Sequence, residues 1–242
     1  MKKGIVLVSV LLLLLPTITK AQQPPKGSFF QLNLEEMEVR DSLGAILPTQ
    51  LVRQLLSTGK FTVKIAKDHT TGILLPVSEE AYQARIQSMP KPPESRFFVN
   101  GKTISSINEK DMEGKRFKLK DQIGKVVVLN FWFINCPPCQ MEIPQLNTLV
   151  DSYAGNPDVV FLSVALDERY DIADFLKTHP FKYRIIDGGR YIANGFGINL
   201  FPTHVVLDRE GKVLFHTSGL ALNTVSWIKK SIEAGLGKTL SQ

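Results

Sequence analysis

The chain has 242 residues, of which 43% are apolar and 21% are charged, so it has enough apolar material for one or two packed domains. This composition excludes a wholly disordered chain and a collagen-like one, and two cysteines are too few for a disulfide-rich scaffold. The net charge is +6, and removal of Lys2, Lys3 and Lys20 halves it. Because no dense run of basic residues follows, we expect no nucleic-acid partner.

The first 21 residues have the pattern of a secretory signal peptide. Lys2 and Lys3 precede an apolar run over residues 5–15, and Thr19 and Ala21 are small residues at the positions that a signal peptidase reads. A membrane-spanning helix needs about 20 apolar residues, roughly twice the length of this run. We therefore predict a signal peptide at 1–21, cleaved after Ala21, and a soluble mature protein in the periplasm or cell envelope. An uncleaved membrane anchor is the alternative.

Residues 22–93 are predicted to form a small mixed α/β extension that ends in a proline-rich linker at 90–93. Strand-like alternation covers 29–34 and 61–66, and residues 48–57 have helical spacing of their apolar positions. Ser78, followed by two acidic residues, predicts a second helix start. No residue of this extension indicates a chemistry.

Residues 94–242 predict a larger α/β domain. Its expected elements, in chain order, are strands at 116–119, 126–131, 159–165, 183–186, 203–207 and 212–217, and helices at 136–153, 171–178 and 223–234. The strand at 126–131 is apolar except at Asn130, which is typical of a buried parallel strand. The order of elements predicts a central mixed sheet that is covered by helices on both faces.

Both cysteines lie in one motif, Cys136-Pro137-Pro138-Cys139, where a buried strand is predicted to turn into a helix. The positive end of the helix dipole favours the thiolate, which is the reactive form of cysteine. We therefore expect Cys136 to be an exposed nucleophile and Cys139 to resolve the mixed disulfide that Cys136 forms. The two prolines suit a first helical turn, but they remove N–H donors that would stabilise the thiolate.

Two alternatives to redox chemistry at this motif are weaker. A zinc site needs more ligands than two cysteines, and the four histidines show no paired ligand spacing. Two unreactive structural cysteines rarely occur at this spacing between a strand and a helix. We predict no metal and no cofactor.

The segments VLNFW at 128–132 and CPPCQMEIP at 136–144, with FPT at 201–203 and a turn at 208–211, resemble the TlpA/ResA family of exported thiol-disulfide oxidoreductases. The resemblance covers about residues 97–242. It implies a thioredoxin-like central mixed β-sheet flanked by helices, in addition to the small N-terminal extension. It also implies a redox-active disulfide between Cys136 and Cys139.

The resemblance gives Glu142 a role in proton transfer. Glu142 lies one helical turn after Cys139, so both are expected on one helix face, and a partly buried carboxylate there can accept the proton of Cys139. Thioredoxin proper has an acid on the preceding strand, whereas this chain has Asn130 there, as the TlpA/ResA group does. The alternative is an ordinary exposed helix glutamate.

The resemblance also implies a substrate-binding surface. Pro202 is expected to form a cis peptide bond beside the cysteines, and the backbone at Phe201 to pair with an extended substrate peptide. Trp132 is included among these site residues, chiefly as a core residue that walls the active site. The family commonly has tryptophan directly before the first cysteine, whereas this chain has Asn135, which makes the surface beside Cys136 smaller and more polar.

The predicted function is reduction of disulfides in protein substrates, with a membrane thiol relay as the electron donor; cytochrome c maturation is the process that the resemblance suggests. A disulfide-forming oxidant would use the same residues. A peroxidase is disfavoured because Phe133 stands where thioredoxin-fold peroxidases have threonine. A copper-binding protein, using both cysteines and His204, is the alternative from another class.

Overall fold

A computed structural model of the chain describes residues 33–237. The predicted signal peptide at 1–21 and most of the strand predicted at 29–34 lie outside these residues, and Asn33 and Leu34 are not in a strand. Between residues 33 and 237, no helix combines the length and the apolar character that a membrane crossing requires.

The N-terminal region, residues 33–93, contains a three-stranded sheet and two helices. In chain order these are β1 (Glu38–Arg40), α1 (Thr49–Ser57), β2 (Phe61–Ile65), β3 (Thr71–Pro76) and α2 (Glu79–Ser88). The sheet order is β1-β3-β2, with β1 parallel to β3 and β2 antiparallel to it. Its buried core is small and consists of Val39, Val52 and Leu74.

The helix and strand predicted at 48–57 and 61–66 are confirmed as α1 and β2, and α2 begins where Ser78 predicted it. The hydroxyl of Ser78 accepts a hydrogen bond from the backbone N–H of Ala81 at 3.2 Å, which is a helix N-cap. The strands β1 and β3 were not predicted from the sequence. Both depend on pairing between segments distant in sequence, which local alternation does not report.

The larger region is built on one five-stranded sheet. Its elements are β4 (Asn108–Lys110), β5 (Arg116–Lys118), β6 (Val126–Trp132), α3 (Pro137–Ser152), β7 (Val159–Ala165), α4 (Arg169–Phe175), β8 (Arg184–Ile186), α5 (Arg190–Gly195), β9 (Thr203–Leu207), β10 (Val213–Ser218) and α6 (Thr224–Gly235). The central order is β10-β9-β6-β7-β8, and β4 pairs only with β5. The strands β6, β7 and β8 are parallel, while β9 and β10 run antiparallel to their neighbours. This confirms the predicted mixed sheet.

Two apolar clusters cover the two faces of the central sheet. One contains Val126, Val128 and Trp132 of β6 with residues of α3 and α6, and the other contains Val127, Leu129 and Phe131 with residues of α5. Every residue of β6 is buried, Asn130 included, as the apolar character of the strand predicted. The predicted strand bounds of β7 and β9 are confirmed, whereas β4 and the six-residue helix α5 were not predicted.

The proline-rich segment between the two regions is fixed to the larger one by hydrogen bonds. The Thr217 hydroxyl donates to the carbonyl of Pro93 at 2.8 Å, and the Asn223 amide donates to the carbonyl of Pro90 at 2.8 Å. The Ser95 hydroxyl lies 3.0 Å from Nδ1 of His216. The proline-rich segment is in neither a helix nor a strand, so its carbonyl groups need other hydrogen-bond donors. Side chains of β10 and of the α6 N-terminus supply them.

Candidate active site

The two cysteines lie where β6 is followed by α3, and they form a disulfide with an S–S distance of 2.02 Å. Cys136 is the N-cap of α3, and its sulfur accepts a hydrogen bond from the backbone N–H of Cys139 at 3.3 Å. Pro137 and Pro138 occupy the first two helical positions. The N–H of Cys139 is therefore the first in this helix that can reach the Cys136 sulfur.

Cys136 is not exposed in this disulfide form, contrary to the expectation. Cys136 and Cys139 are each only 2% exposed, and both pack within the apolar cluster between the sheet and α3. Asn135 and Pro137 on either side of Cys136 are exposed, so the motif itself lies at the surface. The motif predicts the reactivity of a thiol at a helix start, but it does not predict how exposed the sulfur atom is.

The loop that leads into Cys136 is held by hydrogen bonds to the backbone of Ile134 and Trp132. The backbone N–H of Ile134 donates to the Asp167 carboxylate at 2.7 Å, and the Gln140 side-chain amide donates to the carbonyl of Ile134 at 2.6 Å. The N–H of Leu166 also donates to the carbonyl of Trp132 at 3.0 Å. These bonds fix the turn between β6 and α3, and with it the backbone of the cysteine pair.

Glu142 is buried, at 4% exposure, so the reading as an ordinary exposed helix glutamate is wrong. Its Oε1 lies 2.8 Å from Nε2 of His204 and 3.4 Å from the Asn130 amide, which donates to it. The His204 contact is short but not directed along the ring N–H, so it is a close polar contact rather than a hydrogen bond. Oε2 has no hydrogen-bond partner among residues 33–237.

His204 and Asn130 come together because their strands pair. Asn130 of β6 stands opposite His204 of β9 in the register, and the Asn130 amide lies 3.3 Å from Nδ1 of His204. Both residues are almost completely buried, at 1% and 0% exposure. The sequence indicated His204 only as a candidate copper ligand. Its position two residues after Pro202, on a strand that pairs with the strand of Asn130, is the signal that could have placed it beside Glu142.

A further buried polar group lies near Glu142 on the side of β8. The Tyr183 hydroxyl is buried without a hydrogen-bond partner among the described residues. Burial raises the pKa of Tyr183 well above its usual value, and the negative charge of Glu142 raises it further. Tyr183 therefore stays neutral in the core.

The Phe201–Pro202 peptide bond at the start of β9 is cis, as the resemblance implied. Pro202 is buried, whereas Phe201 is partly exposed and stacks edge-on against Phe133 with ring centroids 5.5 Å apart. The backbone N–H and C=O of Phe201 make no hydrogen bond within residues 33–237. Leu200, at 51% exposure, adds apolar surface beside them.

Trp132 does not belong to this surface. It is 1% exposed and packs against Phe175 and Phe181, with ring centroids 5.7 and 5.6 Å away. It is therefore a buried core residue in the same apolar cluster as the disulfide, the position that the sequence chiefly predicted, and a contact with substrate stays a prediction. Over residues 33–237, the structure contains no group of three or more His, Cys, Asp or Glu side chains arranged to hold a metal ion.

A dithiol couple at the strand-to-helix junction of this sheet, with a cis-proline at the start of the neighbouring strand, defines the class of thioredoxin-like thiol-disulfide oxidoreductases. The model of the AhpC/TSA family matches residues 100–216. The thiol-disulfide oxidoreductase ResA of Bacillus thuringiensis subsp. konkukian is 37% identical over 122 residues, which are 49% of this chain and 69% of that protein. ResA of Halalkalibacterium halodurans is 30% identical over 112 residues, 46% of this chain and 64% of that protein.

Solved structures agree with the sequence relatives. A putative thiol:disulfide interchange protein DsbE from Chlorobium tepidum superposes with a TM-score of 0.53 and 27% identity, covering 58% of this chain and 99% of its own. A putative protein disulfide isomerase from Bacteroides thetaiotaomicron, at 22% identity and a TM-score of 0.50, covers 56% of this chain and 89% of its own and shares the fold. The chain belongs to the ResA-like thiol-disulfide oxidoreductases of the thioredoxin-like superfamily.

Proposed function

We propose that the protein is an exported reductant of protein disulfides, with Cys136 as nucleophile, Cys139 as resolving thiol and Glu142 as the base that activates Cys139. The observation that carries this proposal is the buried carboxylate of Glu142, one helical turn beyond Cys139 on α3. A carboxylate is costly to bury, so its place beside a redox pair favours a function in proton transfer.

The proposed cycle begins with both thiols reduced. The Cys136 thiolate attacks one sulfur of the substrate disulfide, a mixed disulfide forms, and the other substrate sulfur leaves as a thiolate. Glu142 then takes the proton of the Cys139 thiol, and the new thiolate attacks the sulfur of Cys136. The Cys136–Cys139 bond forms, the second substrate sulfur leaves, and two electrons have passed to the substrate.

His204 and Asn130 support this use of Glu142 by holding one carboxylate oxygen. Their contacts are all to Oε1, which leaves Oε2 without a partner inside residues 33–237. An oxygen that has no structural hydrogen bond is free to receive a proton without breaking one. We therefore assign the transferred proton to Oε2.

Substrate binding is proposed at the cis-proline edge. The unpaired backbone groups of Phe201 can add an extended peptide as a short strand, with Pro202 setting the position of that backbone. The apolar side chains of Phe133, Phe201 and Leu200 would then contact the side chains that flank the substrate disulfide. An extended polypeptide with apolar residues beside its cysteines is the substrate class that fits.

Export is proposed from residues 1–21, whose basic start and short apolar run are typical of a signal peptide cleaved after Ala21. Outside the cytosol an oxidising environment keeps such a pair as a disulfide, so a reductant there needs a dedicated electron donor. A membrane thiol relay is the donor class that this requires. Reduction of haem-site cysteines during cytochrome c maturation is the process that the family resemblance favours.

The direction of electron flow is tested by the midpoint potential of the Cys136–Cys139 couple, measured by thiol trapping in dithiothreitol and glutathione buffers. A value at or below about −230 mV is expected of a reductant. A value near about −120 mV would assign the protein to the disulfide-forming oxidants instead, which is the second candidate because the same residues serve both directions. A chain that formed no intramolecular disulfide in any buffer would contradict both.

A further inference from the structure

The backbone of Ile134, two residues before Cys136, is hydrogen-bonded at both its N–H and its carbonyl. The N–H donates to the Asp167 carboxylate at 2.7 Å, and the carbonyl accepts from the Gln140 side-chain amide at 2.6 Å. Asp167 follows β7, and its own carbonyl accepts a hydrogen bond from the N–H of Gly188, after β8, at 2.7 Å. Because β6, β7 and β8 are parallel, the loop that carries Cys136 is anchored to the neighbouring loops at one edge of the sheet.

Gln140 closes a ring of backbone that contains both cysteines. Its side-chain amide reaches back to the carbonyl of Ile134, and its backbone N–H donates to the carbonyl of Cys136 at 3.1 Å. Cys136 and Cys139 both lie within the segment 134–140 that these two bonds close. The side chain of Gln140 thus links the first turn of α3 to the loop before it.

The disulfide and dithiol states of the protein depend on this link to different degrees. In the disulfide state, the covalent bond between Cys136 and Cys139 itself holds the first turn of α3 to the loop. In the dithiol state only hydrogen bonds do so, and Pro137 and Pro138 have no N–H to contribute. Loss of the Gln140 bond therefore frees the dithiol more than the disulfide, and disulfide formation then has more conformational entropy to remove.

We propose that Gln140 is a positioning residue for thiol-disulfide exchange: its bond to Ile134 keeps the two thiols of the reduced protein close together, and Asp167 anchors the loop that it holds. In the resolution step the Cys139 thiolate attacks the Cys136 sulfur of the mixed disulfide, the Cys136–Cys139 bond forms, and the substrate sulfur leaves as a thiolate. A high effective concentration of Cys139 speeds this step and makes the couple more strongly reducing. The inference rests on the proposed roles of Cys136 and Cys139, and it is independent of the role of Glu142.

The test is the equilibrium of the protein with glutathione. The protein dithiol gives two electrons to oxidised glutathione, the Cys136–Cys139 disulfide forms, and two molecules of reduced glutathione are released. The equilibrium constant of this reaction measures the effective concentration of one cysteine toward the other. In Gln140→Met, which keeps the length of the side chain but removes the donor, we expect the constant to fall about threefold to tenfold, the effect of losing one hydrogen bond. A tenfold fall corresponds to a midpoint potential about 30 mV higher.

A kinetic measurement tests the same role in the resolution step. In a single-turnover reaction with dithionitrobenzoate, the reduced protein releases one coloured thiolate when Cys136 attacks and a second when Cys139 resolves. The second release should slow about threefold to tenfold in Gln140→Met, while the first keeps its rate. Asp167→Ala should act in the same direction, and Asp167→Asn, which keeps an acceptor oxygen for the Ile134 N–H, should stay closer to wild type. The effects of Gln140→Met and Asp167→Ala should add to less than their sum, because both act through Ile134.

Asn147 offers a matched control on the same helix. Its side-chain amide donates to the carbonyl of Pro180 at 2.7 Å, two turns beyond Gln140 on α3. Asn147→Leu removes a bond of the same kind, so it should lower the denaturant midpoint but keep the wild-type equilibrium constant with glutathione.

The inference fails if Gln140→Met keeps the wild-type equilibrium constant, or if Asn147→Leu lowers that constant by as much. The proposed function fails in a different way: a wild-type midpoint potential near about −120 mV would make the protein an oxidant, whatever the ratio between wild type and Gln140→Met.

Discussion

The larger region and the N-terminal region are both built from a sheet and helices, but they differ in how much they bury. The larger one buries whole strands, and at the centre of its apolar core it keeps Glu142, His204 and Asn130 out of water. The N-terminal region has five buried apolar residues and leaves large apolar side chains such as Leu43 and Ile73 exposed. The cysteine pair and the buried Glu142 carboxylate both lie in the larger region.

The N-terminal region also makes hydrogen bonds with the larger region. Residues 33–93 are too few to make an extensive core of their own, and they depend on contacts with β10, α3 and α6. Those contacts place the turn between α1 and β2 beside α3.

The largest expected effect is on the rate of disulfide reduction, compared between one variant in each region. Cys136→Ser should lower the rate of disulfide reduction by more than about a thousandfold, because the attacking thiolate is removed. Leu43→Ser, at a side chain of the N-terminal region that is 91% exposed, should keep the wild-type rate. Turnover of a protein disulfide by both variants measures this. Substantial activity in Cys136→Ser would mean that the chemistry lies elsewhere.

The same substitution in each core tests whether the two regions unfold separately. Leu162→Ala in β7 should lower the free energy of unfolding by about 2–5 kcal/mol, since Leu162 is fully buried. Tryptophan fluorescence reports this loss, because Trp132 and Trp227 both lie in the larger region.

Leu74→Ala in β3 should change the fluorescence transition by less than about 1 kcal/mol and should lower the midpoint seen by far-ultraviolet circular dichroism. Equal losses in the fluorescence transition for Leu162→Ala and Leu74→Ala would show one cooperative unit and would end the distinction between the regions.

A smaller effect concerns the two prolines beside Cys136. Pro138→Ala restores an N–H at the second helical position, and an N-cap side chain can accept a hydrogen bond from that N–H. The thiol–thiolate equilibrium of Cys136 should therefore shift about tenfold toward the thiolate. Pro137→Ala restores an N–H at the first position, which does not point at the cap, and should change little. Thiolate absorbance of the reduced variants against pH compares the two. Equal shifts would contradict the capping geometry.

The smallest effect lies at the junction of the two regions. Burial lowers the pKa of His216, and the Glu94 carboxylate, 3.8 Å from Nε2, opposes this only in part. The unfolded chain therefore binds a proton more readily, and stability should be lost as pH falls below about 6.5. His216→Gln should reduce this loss, while His179→Gln, at an exposed side chain, should keep it. Denaturant midpoints from pH 7.5 to 5 measure both, and identical slopes in all three proteins would contradict the assignment.

Much of the larger region could be predicted because its long strands consist mainly of apolar residues that are consecutive in the sequence. The bounds of β7 and the buried run of β6 follow from this, as does the position of the CPPC motif between β6 and α3. Short or pairing-dependent elements such as β3 and α5 leave no comparable signal.

The site was only partly predictable for the same reason. Cysteine spacing gave the redox pair, and family resemblance gave Glu142 and the cis-proline. The contact between Glu142 and His204 depends on the register of β9 against β6, which joins residues far apart in sequence. The burial of Cys136 depends on the packing around α3, and the motif does not encode it.

The most direct test of the account is the resolution step in Glu142→Gln, which keeps the shape of the side chain but removes the base. In the single-turnover reaction with dithionitrobenzoate, we expect the second thiolate release to slow by about a hundredfold and the first to keep its wild-type rate. If both releases occur at wild-type rates at every pH, Glu142 is not the base, and the buried carboxylate has a structural role only.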